Sequence, residues 1–244
     1  MRKPLGRSRS SRTTDEWYAV KRAVEQAFPF YESISEVISL GLAGPLRRRA
    51  IRRLERFRKE WILDSGTGPG VSSELMLRDE FAKVIGLDPS RNLLRSTKAR
   101  LSDSFYPLQA VAENIPLRTG SVAGVITCFS LRDVRDRTQS ISEFSRVAKD
   151  EGLLEIVDVG KPDNQLVQGM IRAYISFVMP LIARALIGQR GRVNPFRMII
   201  PTFRRLSTNR SLTTQTMVIF GSARFDQFLL GGLIIVEGIR RRSS

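Results

Sequence analysis

From Trp61 onward the chain alternates short apolar runs with polar stretches of helical period, and this alternation constrains its fold more than any other feature. Ile62 to Ser65, Val84 to Asp88, Leu108 to Ala112, Val122 to Phe129 and Leu153 to Asp158 read as strands, most of them closing on a polar or small residue. Residues 71–79, 90–102 and 138–148 between them carry helical periodicity. Strand and helix at this spacing form βαβ units, which require a parallel sheet covered on both faces. The expected fold class is therefore α/β, doubly wound and mostly parallel. Phe225 to Leu230 and Leu233 to Glu237, separated by Gly231 and Gly232, predict an antiparallel closing hairpin. Ligands of such sheets bind beyond the carboxyl ends of the strands.

One loop sits where that rule places a ligand. WILDSGTGPGVSSEL sets Asp64, Gly66, Gly68 and Gly70 between the first strand and a helix, so backbone amides approach a ligand with no Cβ in the way. Asp64 stands two positions before the first glycine, and Asp88 closes the next strand in VIGLDPS. A carboxylate at Asp88 can accept both ribose hydroxyls of a nucleoside, while Asp64 can face a cationic amino-acid moiety. The same residues also suit a plain tight turn, with Asp88 capping the helix that starts at Ser90.

The rest of the chain reads as appendages to one domain of a 244-residue protein. Residues 1–14 form a basic, Ser-rich arm expected to be disordered and lacking the apolar core of a secretory signal. Residues 15–60 form a helical extension, and 61–244 the main domain with a helical insertion at about 163–210. In PLRRRAIRRLERFRK, residues 45–59, Leu46, Ala50, Leu54 and Phe57 share one stripe with arginines over the remainder, an amphipathic basic helix. The apolar stretch from Leu166 to Gly188 is broken by Arg172, Pro180 and Arg184, against a spanning helix. With no histidine, triads and imidazole bases are excluded, and a single cysteine, Cys128, excludes an internal disulfide and Cys-cluster metals. No metal is expected. Forty Lys plus Arg against 24 Asp plus Glu leave a net charge of +16, which attracts polyanions or anionic lipid.

The acidic-x-Gly-x-Gly-x-Gly order followed by Asp88 resembles the class I S-adenosylmethionine-dependent methyltransferases. Further along, AVAENIPLRTGSVAGVITCFSLRDVRD and SEFSRVAKDEGLLEIVDVGKP resemble the menaquinone and ubiquinone C-methyltransferase family over about residues 28–240. The resemblance implies a Rossmann-like sheet of seven strands, S-adenosylmethionine as methyl donor, and C-methylation of a prenylated hydroquinone. By position, Asp88 would hold the ribose, Gly66, Gly68 and Gly70 would line the methionine side, and Val111 and Ala112 would flank the adenine. Cys128 would take the place of a cofactor-contacting serine. The sequence departs from the family at Pro69 (family Thr), Val111 (Asn or Asp), Ser130 (Gly) and Asp133 (Asn), and Glu237 falls near a family histidine.

Methylating carbon needs an electron-rich ring, hence a stabilised phenolate and a base for the ring proton. Histidine being absent, Arg132 is the candidate stabiliser and Asp133 the base, acting directly or through water. A structural salt bridge or helix cap is the plainer role for both. Tyr31 and Tyr174 are candidate acceptor contacts, with ordinary packing as the alternative. The expected partners are a prenylated quinol or another small-molecule acceptor and an anionic membrane surface, in a cytoplasmic protein peripheral at the inner face, with oligomerisation open. An RNA methyltransferase is the runner-up, and a non-catalytic relative that keeps the fold is the third reading.

Overall fold

The computed structural model describes residues 35–36, 39–178 and 203–242. The expected arm 1–14, the helical patterning from Asp15, Tyr31 and much of the 163–210 insertion lie outside them. Seven strands form one sheet: β1 (Trp61–Ser65), β2 (Lys83–Asp88), β3 (Phe105–Gln109), β4 (Val122–Cys128), β5 (Ala148–Val159), β6 (Gly221–Phe228) and β7 (Leu233–Arg240). Their order is β3-β2-β1-β4-β5-β7-β6. β1 to β5 run parallel, while β7 is antiparallel to β5 and β6 antiparallel to β7. The order reverses between β1 and β4, so the loops leaving these two strands diverge around a crevice at their carboxyl ends, the switch point at which open α/β sheets bind ligands.

Burial on both faces explains why β4 reads as an unbroken apolar run: all of Val122–Cys128 is buried. On one face lie α1 (Ala43–Arg53) and α2 (Val71–Arg78), where Leu46, Ala50, Leu54 and Met76 meet Ile62, Val84 and Ile126. On the other lie α4 (Arg137–Val147) and α6 (Asn209–Phe220), which bring Ile141, Phe144, Leu212 and Phe220 onto Leu63, Val125 and Leu154. α3 (Arg91–Arg100) follows β2, and α5 (Gln165–Ala173) runs into a single π-helical turn, Tyr174–Val178. Among the described residues no helix is long and apolar enough to cross a membrane.

Three expectations are corrected. The third strand is Phe105–Gln109 rather than 108–112. It lies at the sheet edge, where Pro107 removes no required ladder bond, and Phe105 anchors it by setting its ring in space left open by Gly86. The closing hairpin is not joined by two glycines: Phe228 pairs with Leu233, and residues 229–232 intervene with Leu229 and Leu230 at φ 49° and 57°. The 45–59 helix gives way to a 3-10 turn at Glu55–Phe57, and its arginines do not all face solvent, because Arg47 is buried.

A buried acid joins α1 to the sheet. Glu155 on β5 lies directly opposite Glu237 on β7, and Arg53 of α1 reaches Glu155 at 3.2 Å, Glu237 at 3.6 Å and Asp226 at 2.7 Å. Glu155 is fully buried and its Oε1 has no hydrogen-bond partner. Burial, with Glu237 alongside, outweighs Arg53 and pushes the Glu155 carboxyl up to about 9. It therefore holds its proton at neutral pH, whereas in the unfolded chain it ionises near 4.5. The folded state thus binds the extra proton, and the associated stability is complete below about 4.5 and is lost progressively as pH rises towards 9. Glu155→Gln, which cannot ionise, is expected to unfold about 1–3 kcal/mol harder than wild type at pH 8. Urea titrations at pH 5 and pH 8 check this, and the gain should shrink at pH 5.

Candidate active site

The glycine loop is built by its attachment to β2. The amides of Gly66 and Thr67 both donate to the Leu87 carbonyl, at 2.8 and 3.0 Å, and the Gly70 amide donates to the Thr67 carbonyl at 2.7 Å. Gly66 is at φ +71°, and a Cβ there would overlap the Ser130 side chain. Gly68, at φ +49°, has only the Gly66 carbonyl within 4 Å of a Cβ position, so its outer side is open to a ligand. Pro69 spends no amide, and its carbonyl accepts from Arg100 at 2.6 Å.

Asp64 is buried at the end of β1, where its Oδ2 accepts from the Thr67 hydroxyl at 2.8 Å and the Ser73 hydroxyl at 2.6 Å. Burial pushes its carboxyl up, opposed by those hydroxyls and by the charge of Arg47. Asp88 does not cap α3, as the plainer reading had it, but bonds the backbone on both sides of the loop. Its Oδ1 accepts from the Ser90 amide at 2.8 Å, while Oδ2 accepts from the Gly68 amide at 3.0 Å. The acid thereby ties the glycine loop to the start of α3. The Ser90 hydroxyl, not Asp88, caps α3 through the Leu93 amide. Val111 and Ala112 follow β3, the neighbour of β2, in a small bridge to Asn114. Cys128 closes β4, and burial pushes its thiol up to about 12, opposed by the charge of Arg47 and by hydrogen bonds with Ser72 and Arg47.

Arg132 and Asp133 lie on a 3-10 turn, Leu131–Asp133, just beyond β4. Arg132 Nη1 lies 2.9 Å from Asp158 Oδ1, its amide donates to Asp158 Oδ2 at 3.0 Å, and its Nε lies 3.7 Å from Asp133 Oδ2. Burial pushes the Asp158 carboxyl up despite Arg132. Asp158 was not anticipated as a site residue, although the signal was in the strand pattern: an acid closing the strand beside β4 must stand next to the loop that leaves β4. Beyond it opens a cavity of about 290 Å³ lined by Val159, Val167, Met170, Ile171, Tyr174 and Leu230 among others. Tyr174 is thus at the apolar cavity, whereas Tyr31 lies outside the described residues. Sequence reasoning also missed Thr67, Ser73 and Arg47.

These features fit the methionine and nucleoside ends of S-adenosylmethionine: two carboxylates at adjacent strand ends, open space over Gly68, and a buried arginine nearby. Residues 63–156 match the methyltransferase domain family. A ubiquinone/menaquinone biosynthesis C-methyltransferase of Syntrophotalea carbinolica is 33% identical over 158 residues, covering 63% of this chain and 67% of that protein. The chain belongs to the class I S-adenosylmethionine-dependent methyltransferases. A demethylmenaquinone methyltransferase of Chlorobaculum tepidum is 28% identical over 169 residues, 68% of this chain and 69% of that one. The fold is shared with the methyltransferase crystallised with the Trm112 activator of Haloferax volcanii, at a TM-score of 0.64 and 13% identity over 94% of this chain and 98% of that one. A Mesorhizobium loti S-adenosylmethionine-dependent methyltransferase superposes with TM-score 0.58 and 15% identity, over 82% of this chain and 100% of that one. This methyltransferase is thus an enzyme that takes S-adenosylmethionine, rather than a fold relative without catalysis.

Proposed function

We propose that this methyltransferase methylates a ring carbon of a prenylated hydroquinone, working in the cytoplasm at the inner membrane face. The observation that carries the reading is the apolar cavity beyond β5, which begins at Val159, the residue after the Arg132-paired Asp158. An isoprenoid tail needs an apolar channel and a phenol needs a cation, and Asp158, which holds Arg132, directly precedes Val159 of the cavity lining. The names of the relatives from Syntrophotalea carbinolica and Chlorobaculum tepidum support the same acceptor class. S-adenosylmethionine, when bound, supplies an already activated methyl on a sulfonium. The protein's work is therefore alignment and exclusion of water.

Asp64 faces the donor's ammonium, Asp88 its ribose, and Val111 and Ala112 its adenine. Arg132, fixed by Asp158, holds negative charge on the ring oxygen. Asp133 receives the ring proton, directly or through a water, once the methyl has arrived. Exposed Met170 and Leu230 of the cavity lining, with exposed Leu166 and Phe177 on α5 and the π-helical turn after it, support contact with the lipid in which such an acceptor resides. Labelled-methyl transfer to reduced prenylquinones, to the same ring without its tail, and to bulk RNA tests the reading. The prenylated ring is expected to be methylated at least about tenfold faster than the bare ring, since each buried CH₂ contributes roughly 0.8 kcal/mol. Met170→Glu is expected to remove most of that preference while leaving donor affinity unchanged. Equal labelling of RNA, or indifference to the tail, overturns the assignment.

A further inference from the structure

Among the described residues Arg47 is a buried charge beside the glycine loop to which the proposed function assigns no role. On the same helix Arg48, Arg49 and Arg52 are exposed, but Arg47 is only 4% exposed. Its guanidinium lies over the face of Phe129, 5.5 Å from the ring centroid, and close enough to Asp64 and Cys128 for its charge to be felt by both. It therefore crosses the carboxyl ends of β1 and β4, the two strands that border the crevice. Phe129 is held under it at φ 57° by a 2.6 Å bond from its amide to the Val157 carbonyl.

A buried guanidinium is costly unless its fork is satisfied. Here the guanidinium hydrogen-bonds the Cys128 side chain, but its Nε is shut away from water with no hydrogen-bond partner, and among the described residues Arg47 forms no ion pair. Asp64 makes no ion pair with Arg47 among the described residues, and its Oδ2 accepts from Thr67 and Ser73. One buried cation and one buried acid at neighbouring strand ends match a zwitterion, and the methionine end of the donor is one.

We propose that Arg47 is a binding residue for the donor, its guanidinium receiving the α-carboxylate of S-adenosylmethionine beside Asp64, which faces the α-ammonium. The inference rests on the donor reading of the glycine loop and adds to it the anchor for the opposite charge. Planar guanidinium and planar carboxylate meet through two parallel N–H to O bonds, which lysine cannot reproduce.

Calorimetry on the ligand-free full chain separates this from a merely structural role. The probes are S-adenosylmethionine and its decarboxylated analogue, which keeps the sulfonium, ammonium and adenosine. Wild type is expected to bind S-adenosylmethionine about 10- to 100-fold tighter than the analogue, the range for a charged hydrogen-bonded pair. Arg47→Met should bring that ratio close to one by weakening S-adenosylmethionine alone, and Arg47→Lys should leave it in between. Equal weakening of both ligands, or a wild type that does not distinguish them, overturns the proposal. If Arg47→Met does not fold, the ratio in Arg47→Lys decides, and an unchanged ratio there overturns it. A wild type that binds neither probe removes the donor reading itself, and the inference with it.

Discussion

Arg132→Ala is expected to lower the unfolding free energy by about 3 kcal/mol at pH 7, the cost of leaving one member of a largely buried ion pair alone. Asp158 is held by two bonds from Arg132, at 2.9 and 3.0 Å, and otherwise by the Val159 amide at 2.7 Å. Its carboxyl is already raised by burial, with Arg132 the main opposing influence. Removing that cation raises it further. The folded variant then keeps a proton that the unfolded chain releases above about 3.8, so the deficit should be small in acid and widen as pH rises. Urea unfolding of wild type and variant from pH 4 to pH 8 checks the slope, and a deficit independent of pH would sink the argument. Turnover in conditions where the variant remains folded separates the second role. A loss of kcat of about 100-fold or more with donor affinity kept supports charge stabilisation by Arg132. Full turnover with a hydroquinone acceptor removes Arg132 from the chemistry.

Gly66→Ala is the second large effect. The residue is at φ +71°, where an L side chain is strained by about 1–2 kcal/mol, and its Cβ would overlap Ser130. Ser130 cannot easily give way, because its hydroxyl bonds the Ser65 carbonyl at 3.0 Å and the Thr127 hydroxyl at 2.7 Å. The loop must shift instead, pulling the Gly66 and Thr67 amides from the Leu87 carbonyl. Donor affinity measured by calorimetry should fall by roughly 100-fold, for a combined strain and overpacking cost of about 3 kcal/mol. Adding Ser130→Gly removes the overlap but not the strain, so the double variant should recover about half of the lost free energy. Failure of the double variant to recover anything would show that the clash with Ser130 is not the cause.

The parallel half of the sheet was legible because its strands are buried on both faces and read as apolar runs closed by Ser65 and Asp88. The edge strand was misplaced by three residues, since Leu108 and Ala110 look more like a strand than Pro107 does, and only the cavity over Gly86 reveals why Phe105 starts it. Within the site, Asp64 and Asp88 stood out because each stands at the end of an apolar strand, Asp64 just ahead of the glycines. Thr67 and Ser73 did not, being ordinary residues for a loop and a first helical turn. Arg47 was hidden by its neighbours: in a run of three arginines, nothing in one dimension marks the member that turns inward. Asp158 and Arg132 are 26 positions apart and meet only because β4 and β5 are adjacent.

The four residues joining β6 to β7 have a bearing on how such a protein diverges. Leu229 and Leu230 line the mouth of the cavity from a connection two residues longer than the tightest possible hairpin, and they take no part in the glycine loop or in β1 and β2. Trimming or lengthening that corner would resize the cavity while leaving the glycine loop alone. If the cavity is the acceptor's, as proposed, a change of guest needs no more than an edit to a single bend at the opposite side of the sheet.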